Sequence, residues 1–168
     1  MVYHDALIDD IKRRLFLENQ DRIHTCLKLI TDEQLWHAHN DQVNSIGNLI
    51  LHLCGNIRQY ICSGIFQEKD IRNRNEEFLK NQNYTRSELL SLLDSTMNLI
   101  NDKIDQITPA HLQNNYEVQG FHETGVGILI HVTEHFSYHV GQITTLTKIL
   151  TGADTGYYAG MDLDKKSN

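Results

Sequence analysis

The stretch that decides the fold is GVGILIHVTEHFSYHVGQITTLTKIL, which occupies residues 125–150. The single proline of the chain, Pro109, lies outside it, which favours a long uninterrupted helix. Thr151 and Gly152 follow as a C-terminal stop signal. Histidines recur at every fourth position of this helix and therefore share one face, as His131, His135 and His139.

Three earlier stretches also predict helices, because apolar residues recur in them at intervals of three and four. The first covers about residues 5–30 and is followed by a short turn of helix at 31–36. The second covers about residues 45–62, with Ser45 as its N-cap. The third covers about residues 85–107, where Thr85 and Glu88 have the spacing of a capping box.

The segments between these helices indicate how the chain is connected. Residues 66–84 are strongly polar and predict a long connection with a helical turn near 76–79, whereas residues 114–124 predict a loop or short extended structure. Alternation of period two is nowhere sustained, so we expect no sheet. The prediction is an all-α four-helix bundle with a long crossover connection, formed by residues 1–168 as a single domain.

Composition excludes several classes of function. The net charge of −7 and the lack of an extended basic cluster argue against nucleic-acid binding, which depends on Lys and Arg. No apolar run approaches the ~20 residues that cross a bilayer, and the first residues do not resemble a secretory signal. The three cysteines, an odd number without close pairing, fit reduced thiols. We therefore expect a cytoplasmic protein that binds neither membrane nor nucleic acid.

The histidines of the last helix predict a metal site. Eight residues of helix span ~12 Å, so three histidines in a row cannot all reach one ion, and one adjacent pair must ligate. The other ligand is expected from the second helix, where His52 lies within an apolar stripe. Residues that share the face of His52, or that continue the polar seam beyond His139, are candidates to hold the ligand rings or line the pocket: Asn48, Asn56 and Gln142.

Two other interpretations of the histidines stay open. His52 also fits a hydrogen-bonded core histidine without a metal. The segment from His131 to His135 matches the inverted-zincin spacing H-x-x-E-H, in which Glu134 would be the base of a metallopeptidase. The remaining histidines have no comparable context and are predicted to be surface or loop residues: His4, His24, His37, His39, His111 and His122.

Two motifs resemble the DinB-like superfamily. They are SIGNLILHLCGN at residues 45–56 and HVTEHFSYHVGQ at residues 131–142, and they occur in the order that the superfamily requires. The resemblance covers most of the chain and implies a four-helix bundle, usually dimeric, with an open three-histidine metal site. It implies His52, His135 and His139 as the ligands, and His131 as a neighbouring pocket position that is not the usual ligand.

The resemblance also implies a class of function. Characterised members include metal-dependent transferases that use low-molecular-weight thiols such as bacillithiol, and a mycothiol-dependent isomerase. We therefore expect one divalent ion per chain, zinc or nickel first and iron or manganese as alternatives, with a small thiol and an electrophile as substrates and a homodimer as the assembly. The alternative is a non-catalytic bundle of a stress response, stabilised by a metal or binding a small molecule.

The tail after the last helix carries Tyr157 and Tyr158. They are predicted either to fold back over the mouth of the bundle and shape a substrate pocket, or to anchor the tail on the bundle.

Overall fold

The computed structural model describes residues 2–80 and 83–166, and this part of the chain is mostly helical. Its helices are α1 (Val2–Lys12), α2 (Asp21–Leu29), α3 (Asp32–Leu35), α4 (Ile46–Arg58), α5 (Arg86–Ile104), α6 (Pro109–Gln113) and α7 (Gly125–Thr151). Stretches of π-helix, Arg13–Gln20 and Gln59–Ile65, join α1 to α2 and extend α4, and a 3-10 helix covers Arg74–Phe78. The four long predicted helices are all present, each within a few residues of its expected ends.

The predicted caps begin the helices as expected. Ser45 accepts a hydrogen bond from the backbone of Asn48, and Thr85 does the same for Glu88. In both capping boxes the N3 side chain returns to the backbone N–H of the cap, which satisfies two donors that a helix start leaves without partners. Thr31 caps α3 in the same way, which confirms the short helical turn predicted there.

The expectation of no sheet is wrong in one place. Strands β1 (Asn115–Val118) and β2 (Phe121–Thr124) pair as an antiparallel hairpin directly before α7. Tyr116 and Val118 are buried while their neighbours are exposed, so alternation exists but lasts only four residues. A repeat this short falls below the length at which a pattern identifies a strand.

Helices α2, α4, α5 and α7 all contribute residues to one apolar core. Helix α4 contacts both α5 and α7, and α2 contacts α7 and α5. The buried residues form a single cluster with contributions from all four, including Ile23, Leu53, Leu93 and Phe136. No helix in the described ranges is long and apolar enough to cross a membrane.

The start of α7 is fixed by a close backbone approach at Gly125. A Cβ atom at this position would lie 2.1 Å from the carbonyl oxygen of His111, and the Gly125 N–H donates to the carbonyl of Asn114. Because a backbone atom cannot rotate away as a side chain can, the residue at 125 has to be glycine. This contact sets where α7 begins and thereby the register of its histidines.

We expect Gly125→Ala to lower the free energy of unfolding by about 1–3 kcal/mol, the usual cost of overpacking a filled site. Gly141→Ala is the matched control, since a Cβ there meets no atom within 4 Å. Replacing an exposed helical glycine should raise stability by about 0.5–1 kcal/mol. Urea denaturation of both variants measures the two effects. A Gly125→Ala protein as stable as the parent would show that α7 can shift against α6.

Candidate metal centre

His52 lies on the buried face of α4 and is only 5% exposed. Helix α4 is apolar around it, and its packing against α7 directs the imidazole between the two helices. The Nε2 atom of His52 lies 2.9 Å from Nε2 of His135. The buried imidazole therefore directs its Nε2 atom at a second histidine rather than at a backbone group or solvent.

The structure brings together the three residues predicted as ligands. His52, His135 and His139 each place a ring nitrogen within 4.8 Å of the others. Two nitrogens bound to one zinc ion at ~2.0–2.1 Å can lie at most about 4 Å apart, so only small side-chain movements separate this arrangement from a bound state. Of all histidines, cysteines and carboxylates in the described residues, these three form the group that could hold a metal ion.

The site favours uncharged imidazoles. Burial first, and the neighbouring His139 and His52 to a smaller extent, lower the pKa of His135 to about 3. Burial also lowers the pKa of His139, against a smaller opposing effect of its hydrogen bond to Gln142. Neutral imidazole is the form that binds a metal, so the environment keeps the donor atoms ready near neutral pH.

A carboxylate from the long connection stands behind His52. Glu77 Oε2 lies 2.8 Å from Nδ1 of His52, and Arg72 donates to both oxygens of that carboxylate, at 2.6 and 2.8 Å. Burial alone would raise the pKa of Glu77, but its hydrogen bonds with Arg72 and His52 hold it below the ordinary value. Sequence reasoning missed this residue, because residues 66–84 resemble solvated surface in which Arg72 and Glu77 merely cancel.

The three residues predicted to hold the ligand rings or line the pocket, Asn48, Asn56 and Gln142, differ in what they contact. Gln142 Oε1 lies 2.7 Å from Nδ1 of His139, which matches its predicted part. Asn48 does not hold a ring; its side chain donates to the backbone carbonyls of Glu77 and Leu79. Asn56 is buried, but within the described residues its side chain makes no hydrogen bond to the three histidines.

His131 lies one turn from the group and outside it. Its ring stacks on Tyr60 with centroids 4.1 Å apart and on His135 at 5.3 Å. Its Nε2 atom is buried without a hydrogen-bond partner among the described residues. Glu134 is exposed and borders a different cavity, between α1 and α7. The inverted-zincin arrangement, with His131 and His135 as ligands and Glu134 at the ion, is therefore not assembled.

The other histidines lie apart from the centre. His37, His39 and His122 are exposed, as expected. The prediction of surface or loop positions is wrong for three that are half-buried within helices: His4, His24 and His111. His4 contacts the carbonyl of Ile107 at 2.8 Å, and His24 contacts Asp94 at 2.7 Å. His111 is half-buried in α6, where its ring accepts from the backbone of Thr108.

The tyrosines of the tail serve as an anchor. The hydroxyl group of Tyr157 lies 3.1 Å from Sγ of Cys26 and 2.9 Å from the hydroxyl of Thr144. Arg22 stacks over the rings of Tyr157 and Tyr158 and donates to the Tyr158 hydroxyl. These contacts hold the tail to α2 and α7, which supports the anchor interpretation over the pocket interpretation.

The family comparison covers nearly the whole chain. The family described as "Protein of unknown function (DUF1572)" matches residues 5–158. The chain belongs to this family. No curated protein matches it. The match to DUF1572 extends from α1 to the anchored tail, so it includes both histidine-bearing helices and the connection that carries Glu77.

The cysteines of this DUF1572 member are all buried and unpaired: Cys26, Cys54 and Cys62. Burial raises the pKa of Cys54 to about 12 and also raises that of Cys62. Because the thiolate is the reactive form, Cys54 and Cys62 are poor nucleophiles at neutral pH. With Cys26 buried as well, thiolate chemistry at the centre would draw on a thiol from outside the chain.

We expect the native protein to react slowly with a thiol reagent such as dithiobis(nitrobenzoic acid) at pH 7.5, and all three thiols to react after unfolding in guanidinium. Ser91→Cys is the positive control, because Ser91 is exposed on α5. This variant should release one equivalent rapidly. Rapid reaction of one equivalent in the parent protein would contradict the burial of all three thiols.

Proposed function

We propose that this protein is a divalent-metal-dependent enzyme that holds one ion per chain through His52, His135 and His139. The observation that carries the proposal is the convergence of three ring nitrogens from two helices within 4.8 Å of one another. A core histidine without a metal needs an acceptor for its N–H and a donor for its other nitrogen, and Glu77 already supplies the acceptor for His52. One donor would satisfy its other nitrogen, so the gathering of two further imidazoles there, His135 and His139, has no comparable structural purpose.

The donor set fits a metal of intermediate softness. Imidazole nitrogens suit zinc, nickel and iron, whereas magnesium and calcium prefer oxygen ligands. We propose zinc or nickel as the resident ion, with iron or manganese as alternatives. Three protein ligands leave at least one position for water or substrate, which is the arrangement of catalytic rather than structural zinc sites.

The proposed reaction is transfer of a low-molecular-weight thiol, such as bacillithiol, to an electrophile. A bound divalent ion would lower the pKa of a coordinated thiol and supply a thiolate at neutral pH. The chain's part is to hold three neutral imidazoles in place and to keep its own thiols buried. Support for the thiol comes from the resemblance to the DinB-like superfamily. We propose that the chain adopts the four-helix bundle of that superfamily. The proposed partners are a second copy of the chain and the two small substrates.

A second candidate is a non-catalytic module stabilised by its metal. One observation favours it: Glu77, the carboxylate that bonds a histidine of the centre, is already ion-paired with Arg72 and faces away from the other two rings. No general base is thereby identified at the open side of the centre.

The metal is tested with protein purified without an affinity tag. Elemental analysis should find about one divalent ion per chain in the parent. We expect His52→Ala, His135→Ala and His139→Ala each to weaken binding by more than about 100-fold, since losing a ligand should exceed the effect of losing an outer contact. His122→Ala is the control, because His122 is exposed on the hairpin. Full occupancy in the His52→Ala, His135→Ala double variant would refute the site.

Catalysis is tested separately with bacillithiol, glutathione and coenzyme A, each offered with an aryl halide and an epoxide. Turnover that falls to the uncatalysed rate in His52→Ala but persists in His122→Ala is the expected result. A metal-loaded protein that shows no turnover with any combination of thiol and electrophile would favour the non-catalytic module.

A further inference from the structure

The residue behind His52 comes from a part of the chain that is distant in sequence from both histidine helices. Glu77 lies in the 3-10 helix Arg74–Phe78, and its side chain is 9% exposed. Phe78, the next residue, packs on the His52 ring with centroids 5.0 Å apart. The connection between α4 and α5 therefore forms the back wall of the centre.

The hydrogen bond to Glu77 determines which nitrogen of His52 carries the proton. A carboxylate can only accept, so the 2.8 Å contact requires a proton on Nδ1. The Arg72 guanidinium, 3.2 Å from the same nitrogen, cannot then donate to it and serves Glu77 instead. With Nδ1 protonated, neutral His52 presents a bare Nε2 toward His135.

Arg72 is itself held in place. Its Nη1 donates to Gln59 at 2.7 Å, and its backbone N–H donates to Asp70, which also accepts from the Gln59 side chain. The Arg72 side chain is 5% exposed. A buried, bidentate ion pair fixes the direction of the carboxylate and adds no net charge beside the three imidazoles.

Two features of α4 accommodate this pair. At Gly55, a Cβ atom would lie 2.1 Å from Glu77 Oε1 and 3.0 Å from Arg72 Nε. Glycine inside a helix normally costs about 1 kcal/mol relative to alanine, so its presence here admits the ion pair against the helix backbone. Asn48, also on α4, holds the backbone of this segment by donating to the carbonyls of Glu77 and Leu79.

We infer that Glu77 is a positioning residue of the metal centre, whose hydrogen bond fixes His52 with Nε2 toward the ion. Arg72 aligns the Glu77 carboxylate, and the absence of a side chain at Gly55 leaves room for it. The inference rests on the proposed metal function. A metal-bound histidine whose other nitrogen donates to a carboxylate binds in one orientation and with greater basicity. The long connection thus belongs to the centre rather than being a linker.

The test combines two readouts on metal-free protein. Long-range proton–nitrogen NMR of histidine-labelled protein reports the His52 tautomer, with the signal assigned by its loss in His52→Ala. Calorimetric titration with Zn²⁺ reports affinity for the parent, Glu77→Gln and Gly55→Ala. Gly55→Ala displaces the carboxylate without removing any polar group. The matched controls are Glu117→Gln, an exposed carboxylate of β1, and Gly141→Ala, an exposed helical glycine.

We expect the parent to show His52 protonated at Nδ1. We expect Glu77→Gln and Gly55→Ala to weaken Zn²⁺ binding by about 10–100-fold, with both controls within about twofold of the parent. A parent His52 protonated at Nε2 would overturn the inference even if no variant folded. Unchanged affinity in both variants would also overturn it and leave the metal site standing. Failure of the parent itself to bind Zn²⁺ would instead overturn the proposed function and, with it, this role for Glu77.

Discussion

The packing of α4 against α7 places His52 Nε2 2.9 Å from His135 Nε2, and much of the centre depends on this contact. Two nitrogens at that distance cannot both carry a proton without repulsion, and two cationic rings would repel more strongly still. Burial resolves the conflict by favouring the neutral form, as the lowered pKa of His135 indicates. In the neutral form one of the two nitrogens can donate its N–H to the lone pair of the other, and neutral imidazole is the chemical state in which histidine binds metals.

Each imidazole of the cluster has a second ring nitrogen that faces away from the other rings and needs a hydrogen-bond partner. Gln142 supplies a contact for His139 from the same helix, one turn further along. His52 obtains its contact from Glu77, which the connection between α4 and α5 delivers from 25 residues away. A buried carboxylate is costly unless paired, so Arg72 accompanies it. His52 on α4 thus accounts for the burial of Glu77 and Arg72, two charged residues in a connection that is mostly exposed to solvent.

The family assignment and the geometry answer different questions. Membership of the DUF1572 family establishes which proteins share this chain's sequence pattern from residue 5 to 158, without assigning a reaction. The geometry indicates what the site could hold, and the buried cysteines indicate what it would need from outside. An external thiol meets that need, which makes the transferase proposal chemically consistent with a chain that offers no reactive thiol of its own.

Local pattern was sufficient for the long helices, since three- and four-residue periodicity and the caps at Ser45 and Thr85 act within a few residues. Axial reach limited the ligands on α7 to an adjacent pair, and the motif resemblance favoured His135 and His139. Short extended structure was among the expectations for residues 114–124, but the pairing of two strands before α7 was not, because four-residue strands carry too little periodicity. Glu77 escaped because its burial depends on α4 passing close by, and only the unexplained glycine at position 55 hinted at this.

Sequence by itself determined the helices and the face on which the histidines lie, because both follow from spacing along one chain segment. Tertiary structure alone decided which nitrogen of His52 faces inward, because that depends on a hydrogen bond between segments that meet only after folding.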